Sequence, residues 1–173
     1  QVKLMPPKDM SGDTLIINAV EREPYLTHNH QLMLEKPAEV LMGVRILMKS
    51  LNIKKAIIGI EANKMDAVKS LRDDESMNRP TDESISIEVV PLKLKYPQGG
   101  EKQLIEALTG RKVPNGGIPA AVGCVVQNVG TAFAVYEAVQ LNKPLVEVMM
   151  TVTGPSVTNP GNFMVRIGTP IEK

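Results

Sequence analysis

The sequence predicts an α/β fold built on a parallel sheet with helices on its faces, and three observations carry that expectation. Short apolar runs near 14–18, 55–60 and 85–90 read as strands, the first of them buried on both faces and the second buried. Segments with helical spacing separate them, each crossover long enough for a right-handed connection. The chain has 173 residues, 43% of them apolar, enough for one good core and a small appendage but not for two large domains.

The elements follow in order. Thr14 to Asn18 is a compact apolar run bounded by Gly12-Asp13 and by polar residues. From Pro37 onward, Val40, Leu41, Val44, Leu47, Met48 and Leu51 recur at helical spacing; proline suits a first turn and Asn52 can close the end. Lys55 to Ile60 forms the second strand, Asn63 caps a helix through about Leu71, and Ile85 to Val90 forms the third strand. The charged segment Arg72 to Glu83 reads as a solvated loop. Gly99-Gly100-Glu101 opens an amphipathic helix with Leu104, Ile105 and Leu108 on one side and Gly110 at its end. Pro114 to Pro119 is a turn-rich loop too long for a simple connection. Asn128 then caps a helix whose buried stripe is Val129, Ala132, Phe133, Tyr136 and Val139.

From Pro144 the character changes. Leu145 to Thr153 and Phe163 to Ile171 look like strands around the turn Gly154 to Gly161, so a boundary near Lys143 divides 1–143 from 144–173. About 30 residues cannot make a stable β unit alone. Together with a first residue, Gln1, that is not Met, this suggests an excised fragment.

Composition excludes several functions. Twenty Lys+Arg stand against 19 Asp+Glu, a formal charge of +1, so no basic face is expected for nucleic acid. The single cysteine, Cys124, cannot form an internal disulfide, and an iron–sulfur cluster needs about four thiolates, so the chain carries no cluster of its own. Apolar runs such as Ile118 to Val126 fall far short of the roughly 20 residues of a spanning helix. The expectation is a soluble, cytoplasmic chain without direct membrane insertion. With 3% aromatics, no Trp and 10 Met, the core must be aliphatic and thioether.

In an open parallel sheet, ligands bind outside the carboxyl ends of the strands. That rule selects Asn18 through Tyr25 with Glu21 and Glu23, then Glu61-Ala-Asn63, then Tyr96 through Glu101 with Gly99 and Gly100. Each has a plain alternative: a strand-end amide satisfying its own backbone, solvated carboxylates, a helix cap, a turn. Asn128 is a cap first and a ligand contact second. His28 and His30 lack a third ligand and read as solvated loop residues rather than a metal site. Cys124, with no basic neighbour in sequence, reads as a small buried hydrophobe. No nucleophile elbow, Walker-type phosphate loop or Gly-x-Gly-x-x-Gly fingerprint is present.

The stretches LIINAVEREPYLT (Leu15 to Thr27), YPQGGEK (Tyr96 to Lys102), Gly116-Gly-Ile-Pro119 and VQNVGT (Val126 to Thr131) together resemble the RnfC subunit of the Rnf electron-transport complex. More distantly, they are similar to the flavin-bearing NADH-oxidising subunit of respiratory complex I. The resemblance implies a Rossmann-like FMN- and NADH-binding domain over 1–143, followed by a partial β-grasp segment of the soluble-ligand-binding type over 144–173. It implies two 4Fe-4S clusters elsewhere in the full protein. It also implies that FMN takes hydride from NADH and passes electrons singly to those clusters, or the reverse, in an ion-translocating NAD:ferredoxin oxidoreductase. Other Rnf subunits would be partners, holding the chain at the cytoplasmic face of the inner membrane.

Residue by residue, the resemblance assigns Asn18 and Glu21 to the flavin or nicotinamide. It likewise assigns Tyr96, Gly99 and Glu101, and Asn128 with Thr131. Glu61, Asn63, Gly100 and Gln127 complete the cofactor-binding set. No catalytic acid, base or nucleophile is expected, because the cofactors carry the hydride chemistry. Two departures matter. The family's glycine-rich phosphate loop would lie upstream of Gln1, so weak or no FMN binding is expected here, and Arg22 stands where relatives often have Cys. Two other readings stay open: a soluble RnfC-like reductase, such as a cobalamin reductase or a proline-reductase-associated relative, and a cofactor-free docking module.

Overall fold

The computed structural model describes residues 12–21, 23–78 and 85–171; Arg22 and the end of the charged segment, 79–84, lie outside them. Four strands, β1 (Thr14–Asn18), β2 (Lys55–Glu61), β3 (Ser86–Leu92) and β4 (Cys124–Asn128), form one sheet in the order β3-β2-β1-β4. All three pairings are parallel. The fold is therefore α/β and Rossmann-like, as expected, but the sequence reading omitted β4. The apolar stretch that hides it is broken by Gly123 at φ 72, which ends a 3-10 turn over Pro119–Val122 and starts the strand.

Among the described residues, five helices cover the sheet: α1 (His28–Glu35), α2 (Pro37–Leu51), α3 (Met65–Asp73), α4 (Glu101–Thr109) and α5 (Val129–Gln140). α2 obeys its sequence signals, with Pro37 in the first turn and Asn52 left-handed at φ 54, its N–H returning to the carbonyls of Met48 and Lys49. α4 likewise ends at a left-handed Gly110. Two expectations are corrected. α3 starts at Met65 with Lys64 at the capping position, so Asn63 does not cap it, and it continues to Asp73 before a 3-10 turn over Glu75–Asn78. α1 was not expected at all; its apolar residues are too few to make a stripe, and only Leu32 and Met33 are buried.

Why the strand runs are continuous is clear from the packing. On β1, Leu15 and Ile17 face the layer of α1, α2, α3 and α5, while Ile16 faces Leu104 and Ile105 of α4; all five side chains are fully buried. Pro91 sits in β3, an edge strand, where a missing ladder donor is tolerated. α2 and α5 approach so closely that a Cβ built on Gly43 would lie 1.9 Å from the carbonyl oxygen of Ala132.

The remaining two strands, β5 (Glu147–Val152) and β6 (Gly161–Arg166), form a separate antiparallel hairpin, both shorter than expected and with Gly161 in the strand rather than the turn. Two polar residues fasten it to α1. Thr151 Oγ1 accepts the backbone N–H groups of Thr27 and His28, both at 3.2 Å, and Asn162 Nδ2 donates to Gln31 Oε1 at 2.6 Å. Among the described residues no helix is long and apolar enough to cross a membrane.

Candidate functional site at the carboxyl edge of the sheet

Because all four strands are parallel, Asn18, Glu61 and Asn128 end β1, β2 and β4 at one edge, and Asn18 lies in register with Asn128 and Gly59. The side chain of Asn18 works in two directions. Its Oδ1 accepts the N–H of Val20 at 3.1 Å, turning the chain after β1. Its Nδ2 donates to the carbonyl of Gly99 at 3.0 Å, which draws the loop after β3 across the end of β2. Gly99 is buried there, and Gly100 precedes α4. The missing side chain of Gly100 matters, since a Cβ would come within 2.4 Å of Gln103 Oε1 and 3.1 Å of the Pro97 carbonyl.

Three charged residues lie buried beside this tether. Glu21, Glu61 and Lys64 are each 7% exposed. Lys64 Nζ pairs with Glu21 Oε2 and, at 3.0 Å, with Glu61 Oε2. The other oxygen of Glu21 accepts the backbone N–H of Asn29 at 2.7 Å, so the loop from 21 to 29 is closed at its base. Sequence reasoning missed Lys64. Its spacing of three from Glu61 was a signal, but an isolated lysine reads as solvent-exposed unless its distant partner, Glu21, is known.

The sites assigned from sequence separate into two neighbourhoods. Glu61, Tyr96 and Gly99 line a cavity of about 170 Å³ with Val20, Lys95 and Gln98. Asn128 and Thr131 line a larger one of about 290 Å³ with Gly130, His28, Asn29 and, from β5, Met149. Gln127 is half-buried at the end of β4, Glu101 is half-buried in the first turn of α4, and Asn63 is exposed. Asn128 holds the capping position of α5 but makes no side-chain cap hydrogen bond, contrary to its expected role. The first turn of α5 consequently lacks a side-chain cap where it meets the larger cavity.

The histidines are helical rather than loop residues. His28 Nδ1 lies 3.2 Å from Thr151 Oγ1 and 3.9 Å from Glu21 Oε1, joining the hairpin to the buried charges. His30 Nε2 lies 2.8 Å from Asp66 Oδ1, and this hydrogen bond holds the Asp66 carboxyl below its ordinary value.

Cys124 is buried, with 1% exposure. Burial pushes its thiol up even though Arg111, a cation the sequence reading did not foresee, sits 3.9 Å from Sγ. Arg111 itself clamps Asp13 Oδ1 at 2.7 Å and the Val122 carbonyl at 2.9 Å, at the opposite edge of the sheet from the candidate site. Native protein at neutral pH is expected to react with a thiol reagent roughly a hundredfold or more slowly than denatured protein, because attack needs local opening and a thiolate. Comparable rates in the two states contradict this.

The family described as the Nuo51 FMN-binding domain matches residues 1–137. Over 168 residues the chain is 48% identical to the C subunit of the proton-translocating ferredoxin:NAD(+) oxidoreductase complex of Clostridium ljungdahlii, covering 97% of this chain and 35% of that protein. Over 171 residues it is 43% identical to the Na(+)-translocating counterpart of Acetobacterium woodii, covering 99% of this chain and 37% of that protein. Identity to the C subunit of the ion-translocating oxidoreductase complex of Erwinia tasmaniensis is 48% over 159 residues, covering 92% of this chain and 19% of that protein. The chain thus spans about a third or less of the length of these curated relatives, which are the C subunits its motifs resemble. Among solved structures, the NAD+-reducing nickel–iron hydrogenase in its air-oxidized state shares the fold, with a TM-score of 0.78 and 24% identity over 92% of this chain and 31% of that one.

Proposed function

The chain belongs to the Nuo51 FMN-binding domain family, and from that premise we propose that it is the flavin- and nicotinamide-handling domain of an RnfC-type protein, an oxidoreductase that exchanges electrons between NADH and iron–sulfur clusters. The observation that carries this reading is the convergence of Asn18, Glu61, Gln127 and Asn128 on one sheet edge beside a helix start that Asn128 leaves without a side-chain cap.

These residues suit FMN. An anionic phosphate needs N–H and O–H donors, and the first turn of α5, which Asn128 leaves without a side-chain cap, would offer them together with the exposed Thr131 hydroxyl where Gly130 and Thr131 line the larger cavity. At Gly130 a Cβ would meet only Asn29 Oδ1, 3.7 Å away, so the helix start is approachable. The amides of Asn18 and Gln127 would meet the polar rim of the ring system. Lys64 offsets much of the charge of Glu21 and Glu61, so these carboxylates oppose an anion less than free ones would. When bound, FMN supplies the exchange between a two-electron hydride and single electrons. The protein's share is to bind and orient: Asn18, through Gly99, keeps the loops after β1 and β3 together.

NADH is the proposed electron donor, in a direction the complex could reverse. The 4Fe-4S clusters are assigned to other parts of a longer protein, and the remaining Rnf subunits are the proposed partners at the cytoplasmic face of the membrane. Residues 144–173, with the hairpin β5–β6, are proposed as the start of a β-grasp module beside the 1–143 flavin domain. Anaerobic titration of the purified protein with FMN and then NADH tests the reading. Flavin absorption near roughly 450 nm is expected to bleach on adding NADH. Bound flavin that NADH leaves oxidised overturns the donor assignment; because binding by this chain is expected to be weak, the titration extends to high FMN concentration, and absence of any flavin binding there overturns the cofactor assignment.

A further inference from the structure

Tyr25 stands where neither packing nor backbone preference places a tyrosine. It occupies the third position of the turn Glu23-Pro24-Tyr25-Leu26, closed by the Leu26 N–H to the Glu23 carbonyl at 3.4 Å. Its φ is 68, a left-handed conformation that suits glycine or asparagine at this point of a turn after proline and that is strained for a bulky side chain. The ring receives no burial in return, being 81% exposed. This is not a loose tip. Glu21 Oε1 fastens the loop at Asn29, and Thr151 Oγ1 fastens it at Thr27 and His28. The anchored loop follows β1 at the carboxyl edge, where the other prominent ring, Tyr96, is also 81% exposed. The whole chain has three Tyr, two Phe and no Trp. Two of those five rings therefore stand in water at the edge where the ligand is proposed to bind.

Strain retained without packing gain is the mark of a functional position. We propose that Tyr25 is a recognition residue whose ring stacks on a planar nitrogen heterocycle of the dinucleotide donor, a role that rests on the nicotinamide reading given above. An exposed tyrosine suits this work: it presents a large rigid face at little conformational cost, and stacking tolerates any heteroaromatic ring. The heterocycle could be the adenine or the nicotinamide, and the two are separable by probe.

The test pairs stability with binding. Tyr25→Gly relieves the left-handed strain, so its melting temperature is expected to equal or exceed that of the parent. Its dissociation constant for NADH, by calorimetry, is expected to rise roughly tenfold, while Tyr25→Phe stays within about twofold. AMP and nicotinamide mononucleotide identify the ring: the one whose binding weakens in Tyr25→Gly is the stacked one. Without tryptophan, tyrosine emission reports directly, and the same probe is expected to quench the parent more than Tyr25→Gly. If the parent binds NADH and Tyr25→Gly binds it equally well, the inference fails and the nicotinamide reading stands. If the parent binds no NADH, both fall.

Discussion

Replacing Lys64 by methionine is expected to cost about 3–5 kcal/mol of stability, because it leaves two carboxylates buried without their cation. Lys64 Nζ serves both Glu21 and Glu61, and none of the three is more than 7% exposed. Methionine fills much of the same volume, so the loss is electrostatic rather than a cavity. A deficit of this size lowers the melting midpoint of a chain of this length by roughly 10 °C. The decisive comparison is the triple variant Lys64→Met, Glu21→Gln, Glu61→Gln. Neutral amides can be buried with hydrogen bonds at far lower cost, so most of the lost stability should return. Calorimetric melting of the single and triple variants checks this. A single variant that melts like the parent shows that Lys64 does not hold the two carboxylates, and a triple variant no better than the single shows that charge is not the cause. Glu21 also closes the loop that carries Tyr25, through the Asn29 N–H, so the single variant should loosen that loop as well.

Gly43→Ala is expected to destabilise by about 3 kcal/mol or more through a different mechanism. The added methyl would lie 1.9 Å from the Ala132 carbonyl oxygen and 2.6 Å from its carbon, both backbone atoms of α5 that no rotamer change can move away. Helices α2 and α5 would have to separate, opening contacts around Val44, Leu47 and Val129 that are fully or almost fully buried. α5 also carries Thr131 and the open helix start, so the same substitution should displace that part of the site. Urea unfolding is the measurement. A midpoint unchanged from the parent, at unchanged slope, contradicts the close approach. Ala132→Gly does not relieve the clash, because the obstructing atoms belong to the backbone, and the two substitutions together should be no more stable than Gly43→Ala alone.

Much of the scaffold was legible in the chain because its signals are local. β1 and β2 announce themselves as apolar runs because they lie inside the sheet with both faces covered, β3 is read from its β-branched residues although as an edge strand it stays partly exposed, and α2 carries its own start and stop in Pro37 and Asn52. The carboxyl-edge rule then located Asn18, Glu61 and Gly99 without any contact being known. β4 escaped because its five residues continue an apolar stretch whose break is a backbone angle at Gly123, and α1 because its stripe is too sparse.

What only the tertiary structure decided are the contacts between residues far apart in sequence: Asn18 with Gly99, 81 residues on; Lys64 with Glu21, 43 apart; Thr151 with Thr27, 124 apart; and Arg111 against Cys124. The physical reason is the same for each. Periodicity, capping and turn chemistry are properties of neighbours and can be read in order, whereas a charged or polar side chain reads as solvated until the fold supplies the partner that makes its burial affordable.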